Sequence, residues 1–220
     1  PAGVAILHDH LLDAGAPTDG ASLARRVRED LYAYLDEEVL ASVTEPLYSF
    51  LLRTAVLDQL TVPACNAVTG LTGSDVLLTQ AMHHHLFLRR TGVEPPVYSY
   101  HPLFCDYLLQ RLRQMYGTGE QHRLDRIAGV YYGGEEAWIP AAHHFLAAGD
   151  LDAVLMAIDM LRERGGGLLT PEDAEALGAG LLDVGDPMVR QRLVEVLGGQ
   201  ARVAEGALLQ VLARDDDPAV

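Results

Sequence analysis

The groups that could do chemistry in this 220-residue chain are few: nine histidines, two cysteines and some short carboxylate runs. One histidine, His101, stands in Val97-Tyr-Ser-Tyr-His-Pro-Leu-Phe-Cys-Asp-Tyr107, between an alternating segment and an apolar helical pattern. That is where a strand hands over to a helix. A helix N-terminus presents unpaired N–H groups and positive potential, which suits a phosphate. An imidazole beside it adds a donor, and charge when protonated. The plainer role for such a residue is to cap the wing or fill a half-buried junction.

The remaining candidates point elsewhere. His83-His84-His85 looks like a metal run, but neighbours on a helix point about a third of a turn apart and do not converge on one ion. A turn from helix into strand is expected there, and no metal is assigned. His8 and His10 straddle Asp9 on a solvated helix, and one of His143 and His144 is expected inside a helix pair. Glu37-Glu38, Glu135-Glu136 and Asp215-Asp216-Asp217 read as solvated charge. No Gly-x-Ser-x-Gly elbow supports a nucleophile. The chain has no lysine, so it holds no phosphate-binding P-loop. No catalytic residue is assigned. Tyr131, Tyr132 and Trp138 are expected as core anchors. Cys65 and Cys105 lie far apart in apolar contexts, and buried free thiols in a reducing cytosol are expected.

The composition is 49% hydrophobic, which suffices for a packed core. A net charge of −15 repels nucleic-acid backbones overall. Three arginine groups (Arg25, Arg26 and Arg28; Arg89 and Arg90; Arg111 and Arg113) are expected as salt-bridged or interdomain surface. No apolar run reaches membrane-spanning length. The chain starts at Pro1 and stops at Asp-Pro-Ala-Val220, which reads as a helix opening, so a segment of something longer is expected.

The spacing of apolar residues predicts helices over 2–14, 21–43, 47–57, 62–68 and 75–84. Strands follow over 86–90 and 97–100, with a proline-stiffened tip between them. A helix over 102–116 comes next, with Leu103, Tyr107, Leu108 and Leu112 in register. Three short helices, a hairpin and a helix make the winged-helix plan. Further helices are predicted over 120–132, 138–148, 151–162, 171–182, 187–197 and 201–213, in the manner of a solenoid. Asp186-Pro-Met-Val189 recurs 31 residues later as Asp217-Pro-Ala-Val220, each an Asp cap followed by Pro in the first turn.

Five short segments, in order, resemble one family. Pro1-Ala2-Gly3 is similar to the segment that closes an ATPase module. Asp30 to Val43 resembles a Tyr-Leu-x-x-Glu-Val-Leu helix, and Phe50 to Leu57 a Phe-Leu-Leu-x-Thr-Ser-x-Leu element. Leu86-Phe-Leu88 with Tyr100-His-Pro-Leu-Phe104 resembles a wing strand leading into Tyr-His-x-Leu-Phe. His143 to Asp150 resembles Ala-x-x-His-x-Leu-Ala-Ala-Gly-Asp. The family is the signal-transduction ATPases with numerous domains (STAND), in its maltose-activator-like and LuxR-type large ATP-binding regulators.

The resemblance implies a mainly α chain: a helical lid (residues 1–43), a winged helix domain with a small β-hairpin wing (44–116), and an α-solenoid, HEAT- or TPR-like (117–220). It implies that His101 is a sensor of the ADP phosphate. ADP or ATP would be held mainly by an upstream nucleotide-binding domain in cis, and none by this chain alone. It further implies an inducer or protein partner on the helical repeats, self-assembly, a cytoplasmic location, and DNA contact only through a domain elsewhere. Pro102 stands where plant and animal members carry aspartate, and the tail from Gly165 looks more like HEAT repeats than the usual tetratricopeptide arms. Two alternatives from other classes are a constitutive interaction scaffold and a DNA-binding winged helix.

Overall fold

The computed structural model describes residues 20–163, apart from 42 and 93. The expected helices over 2–14, 171–182, 187–197 and 201–213, the Asp-Pro-x-Val echo, His8 and His10 lie outside the described residues, as do the last three carboxylates. The chain divides into two compact units, with the boundary between Glu45 and Pro46.

In the first unit, α1 runs Gly20–Tyr34 and continues into a π-helical segment, Leu35–Val39. The single helix expected over 21–43 is therefore corrected: it changes pitch at Leu35 and its π-helical part stops at Val39. The cap N–H of Leu40 reaches back to the Leu35 carbonyl at 2.9 Å, five residues away. Five-residue bonding of this kind interrupts α-helices locally.

The second unit opens with α2, Glu45–Thr54, which has Pro46 in its first turn. Leu47, Phe50, Leu51 and Thr54 form its buried stripe. The two leucines and Phe50 contribute about 1.5–3 kcal/mol each on burial. The helix ends three residues before the expected Leu57. There the Thr54 hydroxyl turns back on the Phe50 carbonyl (2.8 Å) and the Leu57 N–H bonds to Thr54 O.

Leu60 then makes a one-residue antiparallel bridge to Tyr98, through N–H···O bonds of 2.7 and 3.0 Å. Helix α3 (Val62–Thr69) is capped by the Thr61 hydroxyl and ends at left-handed Gly70, φ 74°. Helix α4 covers Ser74–His83. The wing consists of β1 (Leu88–Arg90) and β2 (Tyr98–Tyr100), antiparallel, with Leu88 opposite Tyr100. Both strands are shorter than expected. His85 and Phe87 have φ of 52° and 54°, which removes 86–87 from the ladder while Leu86 turns into the core.

Helix α5 (Pro102–Tyr116) buries Phe104, Tyr107, Leu108 and Leu112. Leu103 is exposed, so the register expected for this helix is corrected by one residue at its start. Helices α6 (Thr118–Gly134), α7 (Trp138–Ala147) and α8 (Leu151–Glu163) follow, joined by turns so short that successive helices are antiparallel neighbours. Helix α6 packs on α3, α5 and α7. The fold is thus mainly helical: a winged helix followed by a helical segment. No helix among the described residues is long and apolar enough to cross a membrane.

Candidate functional site

His101 sits between β2 and α5 as the N-cap residue, with extended backbone (φ −63°, ψ 136°). Its N–H donates to Phe87 O at 2.8 Å, which ties the junction to the start of the wing. Its carbonyl accepts the N–H groups of Phe104 (2.9 Å) and Cys105 (3.0 Å). Pro102 has no N–H, so Leu103 supplies the one first-turn donor not turned inward. The His101 side chain makes no capping bond and is exposed to solvent. It is therefore not a half-buried filler, while its backbone N–H does fasten the wing.

The backbone leading to this junction is strained. A left-handed conformation costs an L-residue about 1–2 kcal/mol, and both His85 and Phe87 adopt it. Burial of Leu86 between them and the Phe87–Phe104 ring contact (centroids 5.4 Å apart) hold the turn in place. Phe87 remains 43% exposed and Leu103 45% exposed, so the residue bonded to the His101 N–H and a residue of the first turn of α5 both keep apolar surface in solvent. Neither was legible as a site residue: Phe87 reads as strand and Leu103 as core.

The wing is anchored from beneath. Tyr100 and Thr54 join by a 2.7 Å hydrogen bond in the core. Burial pushes the Tyr100 phenol well above its ordinary value, so it stays neutral. Cys65 and Cys105 are free thiols. Burial pushes Cys65 up to about 12. Cys105 is only half-buried, which corrects the expectation, and its thiol donates to Ala55 O at 3.2 Å. Its pKa is pushed up to about 11, chiefly by burial and then by Asp106 and Asp58. Neither thiol has the lowered pKa of a reactive cysteine.

His83, His84 and His85 are all exposed on the turn from α4 into the wing. Among the described residues, no group of three or more His, Cys, Asp or Glu side chains is placed to share a metal. What this junction can do is offer one imidazole and one N–H to a phosphate oxygen. The residues fit that single contact of a nucleotide. A complete nucleotide site needs residues from elsewhere.

A second cluster joins α6 to α7 and α8. His144 Nδ1 lies 3.0 Å from Asp125 Oδ1, both buried, and the imidazole stacks on Tyr132 at 5.4 Å. The next residue, Arg126, pairs with Asp150 at 2.8 Å. Asp150 also accepts the Ala153 N–H at the start of α8 (3.3 Å), after left-handed Gly149. The segment His143–Asp150 is thus a structural joint. His144 is the histidine inside a helix pair, but its partner Asp125 was not anticipated. Tyr131, Tyr132 and Trp138 are half-buried, a correction to the core role expected of them. Tyr132 is pushed up to about 12 by burial and by Asp58, so it lies near the loop that follows α2.

The class that this geometry defines is a winged helix domain with an exposed histidine at its wing-to-helix junction. Residues 36–120 match the family model of the MalT winged helix domain. The HTH-type transcriptional regulator MalT of Cronobacter sakazakii is 30% identical over 150 residues, covering 66% of this chain and 16% of that protein. The serine/threonine-protein kinase PknK of Mycobacterium tuberculosis is 32% identical over 123 residues, covering 54% of this chain and 11% of that protein. The PknK of Mycobacterium bovis matches to the same extent. The chain therefore spans between about a tenth and a sixth of the length of these relatives, and over that stretch it is MalT-like.

Proposed function

We propose that this chain is the regulatory segment of a STAND-type signalling or transcription regulator, in which His101 reports the state of a nucleotide bound mainly by an upstream ATPase module. The observation that carries this reading is the exposed, uncapped imidazole of His101 at the strand-to-helix junction of a MalT-like winged helix. ADP would supply an anionic phosphate as the anchor; His101 would donate to it, with the Leu103 N–H beside it. Pro102 removes any ion pair through an aspartate at that position.

His101 cannot hold a nucleotide alone, so its role is a latch. A switch needs two states with different contacts, and loss of the phosphate contact would supply part of that difference. The helical segment from α6 onward would receive an inducer or protein partner. Release of the wing would then permit self-assembly in the cytoplasm. No catalytic role is proposed for any residue here.

The test uses a protein that carries this chain behind its ATPase module. Nucleotide co-purifying with wild type and with His101→Ala is assayed by chromatography. Wild type retains ADP and the variant loses it. Equal retention and equal output in both would favour the other reading, a constitutive scaffold. The near-complete internal satisfaction of the α5 first turn favours that alternative.

A further inference from the structure

We propose that the wing carries a docking edge for an extended acidic peptide, which joins β1 as a third, antiparallel strand. The surface differs from the helical segment, where a partner is proposed above. It does not rest on the nucleotide reading of His101.

The ladder shows which way the backbone of β1 points. Phe87 O accepts the His101 N–H and the Thr91 N–H donates to Val97 O, both at 2.8 Å. Arg89, opposite Ser99, lies midway between them in the same register. Phe87, Arg89 and Thr91 therefore turn their backbone groups toward β2. The alternation of an antiparallel ladder then sends those of Leu88 and Arg90 to the other side. The same alternation holds in β2, where Tyr98 turns away from β1 and bonds to Leu60 at 2.7 and 3.0 Å.

One edge of the wing is thus covered by Leu60. The other is the outer edge of β1, where no described backbone group bonds to Leu88. Among the described elements, only β2 packs closely on β1. An edge of this kind pairs with an extended chain, through main-chain hydrogen bonds.

The side chains choose among extended chains. Residues 83–92 include exposed His83, His84, His85, Arg89 and Arg90 and no carboxylate. The nearest carboxylates along the chain are Asp75 at the start of α4 and Glu94 at the wing tip. Arg89 shares a face of the wing with Ser99, opposite the face of buried Tyr100. Arg90 Nε donates back to Gly92 O at 3.0 Å, so Arg89 is the selecting charge.

The net charge of −15 opposes an acidic ligand at long range. Screening confines that field to about 8–10 Å at ordinary ionic strength, so the charges at the edge decide the contact. A second copy of this edge does not fit. At full overlap Arg89 would meet Arg89, and like charges directly opposite are unfavourable. A carboxylate opposite Arg89, with apolar residues on either side of it in the strand, does fit.

The test is a titration of the ¹⁵N-labelled 220-residue chain with a short peptide of alternating Glu and Val, followed by amide NMR. A three-residue strand offers few bonds, so the peptide is taken to about 2 mM. In the proposed pairing Glu stands opposite Arg89, and Val N–H and C=O groups meet Leu88 and Arg90. The amide signals of Leu88 and Arg90 should move most. N-methylation of the valines should abolish binding, and N-methylation of the glutamates should leave it. Arg89→Glu replaces an attraction with a repulsion of similar size and should weaken binding about 2- to 30-fold. Arg113→Glu, the same charge change on exposed α5 surface, should leave binding unchanged. The rest of the amide spectrum shows that each variant is folded.

Five results overturn the proposal. One is no movement of the Leu88 signal at the highest peptide concentration. Another is an equal effect of the two N-methylated peptides, which means that the backbone is not read. The third is equal loss in Arg113→Glu and Arg89→Glu, which means diffuse attraction. The fourth is binding of the Gln-Val analogue as tight as that of the Glu-Val peptide, which removes the acidic occupant. The last is a Leu88 signal that moves on dilution of the chain alone, which gives the edge to a second copy.

Discussion

The bond between Tyr100 and Thr54 makes an asymmetric prediction about what holds the wing. The two oxygens lie 2.7 Å apart in the core, and distance alone does not say which donates. The Thr54 hydroxyl has one hydrogen, and it points to Phe50 O at 2.8 Å. Tyr100 is therefore the donor and Thr54 the acceptor. Tyr100→Phe removes the donor and leaves Thr54 still bonded to its own helix, at a cost of about 1 kcal/mol. Thr54→Val keeps the shape and helix propensity but strands a buried phenolic O–H, at about 1–3 kcal/mol. In the double variant nothing is stranded, so its cost falls below the sum of the two. Urea unfolding of the chain, followed by circular dichroism and by the single Trp138, gives all three values. A larger loss for Tyr100→Phe than for Thr54→Val, or strict additivity, would refute the donor assignment.

Other consequences are as direct. A Cβ at Gly129 would lie 2.6 Å from two carbons of the Phe145 ring, so Gly129→Ala should overpack the α6–α7 contact. Its net cost should be about 1–2 kcal/mol after the gain in helix propensity, measured by urea unfolding. Asp125→Ala leaves the buried His144 Nδ1 without its hydrogen-bond partner and should cost about 1–3 kcal/mol by the same assay. Burial raises Cys65 from 9.0 to about 12 and Cys105 from 9.0 to about 11 in the folded state. The stability this confers is whole below pH 9 and is lost as pH climbs through those raised values. The urea midpoint should therefore fall above pH 9, less steeply in Cys65→Ala; a flat profile up to pH 11 would contradict this.

Much of the winged helix was legible because its signals are local. Pro63 and Pro102 mark helix starts, and the apolar spacing of Phe50, Leu51, Tyr107 and Leu108 marks buried faces. What was hidden depends on one residue or on distant partners. Leu60 pairs with the wing as a single bridge, which has no periodicity to read. The pitch change at Leu35 leaves the apolar recurrence of α1 almost intact. Spacing identified a face for His144 but could not name Asp125, nineteen residues earlier. At the junction, His101 was visible through the motif around it. Its exposure, and that of Phe87 and Leu103, had no signal in the spacing, which places Phe87 in a strand and Leu103 in the core.

The His101 imidazole is exposed and makes no capping bond to its own helix, and in the proposed reading it meets a phosphate held by a neighbouring module. The rate of ADP release from the protein with its ATPase module, wild type against His101→Ala, tests this most directly. A hydrogen bond to a charged group is worth about 1.5–3 kcal/mol, so release should quicken by roughly 10- to 150-fold. Release rates within about twofold of each other, in a variant that remains folded, would contradict the latch and leave His101 without a nucleotide role.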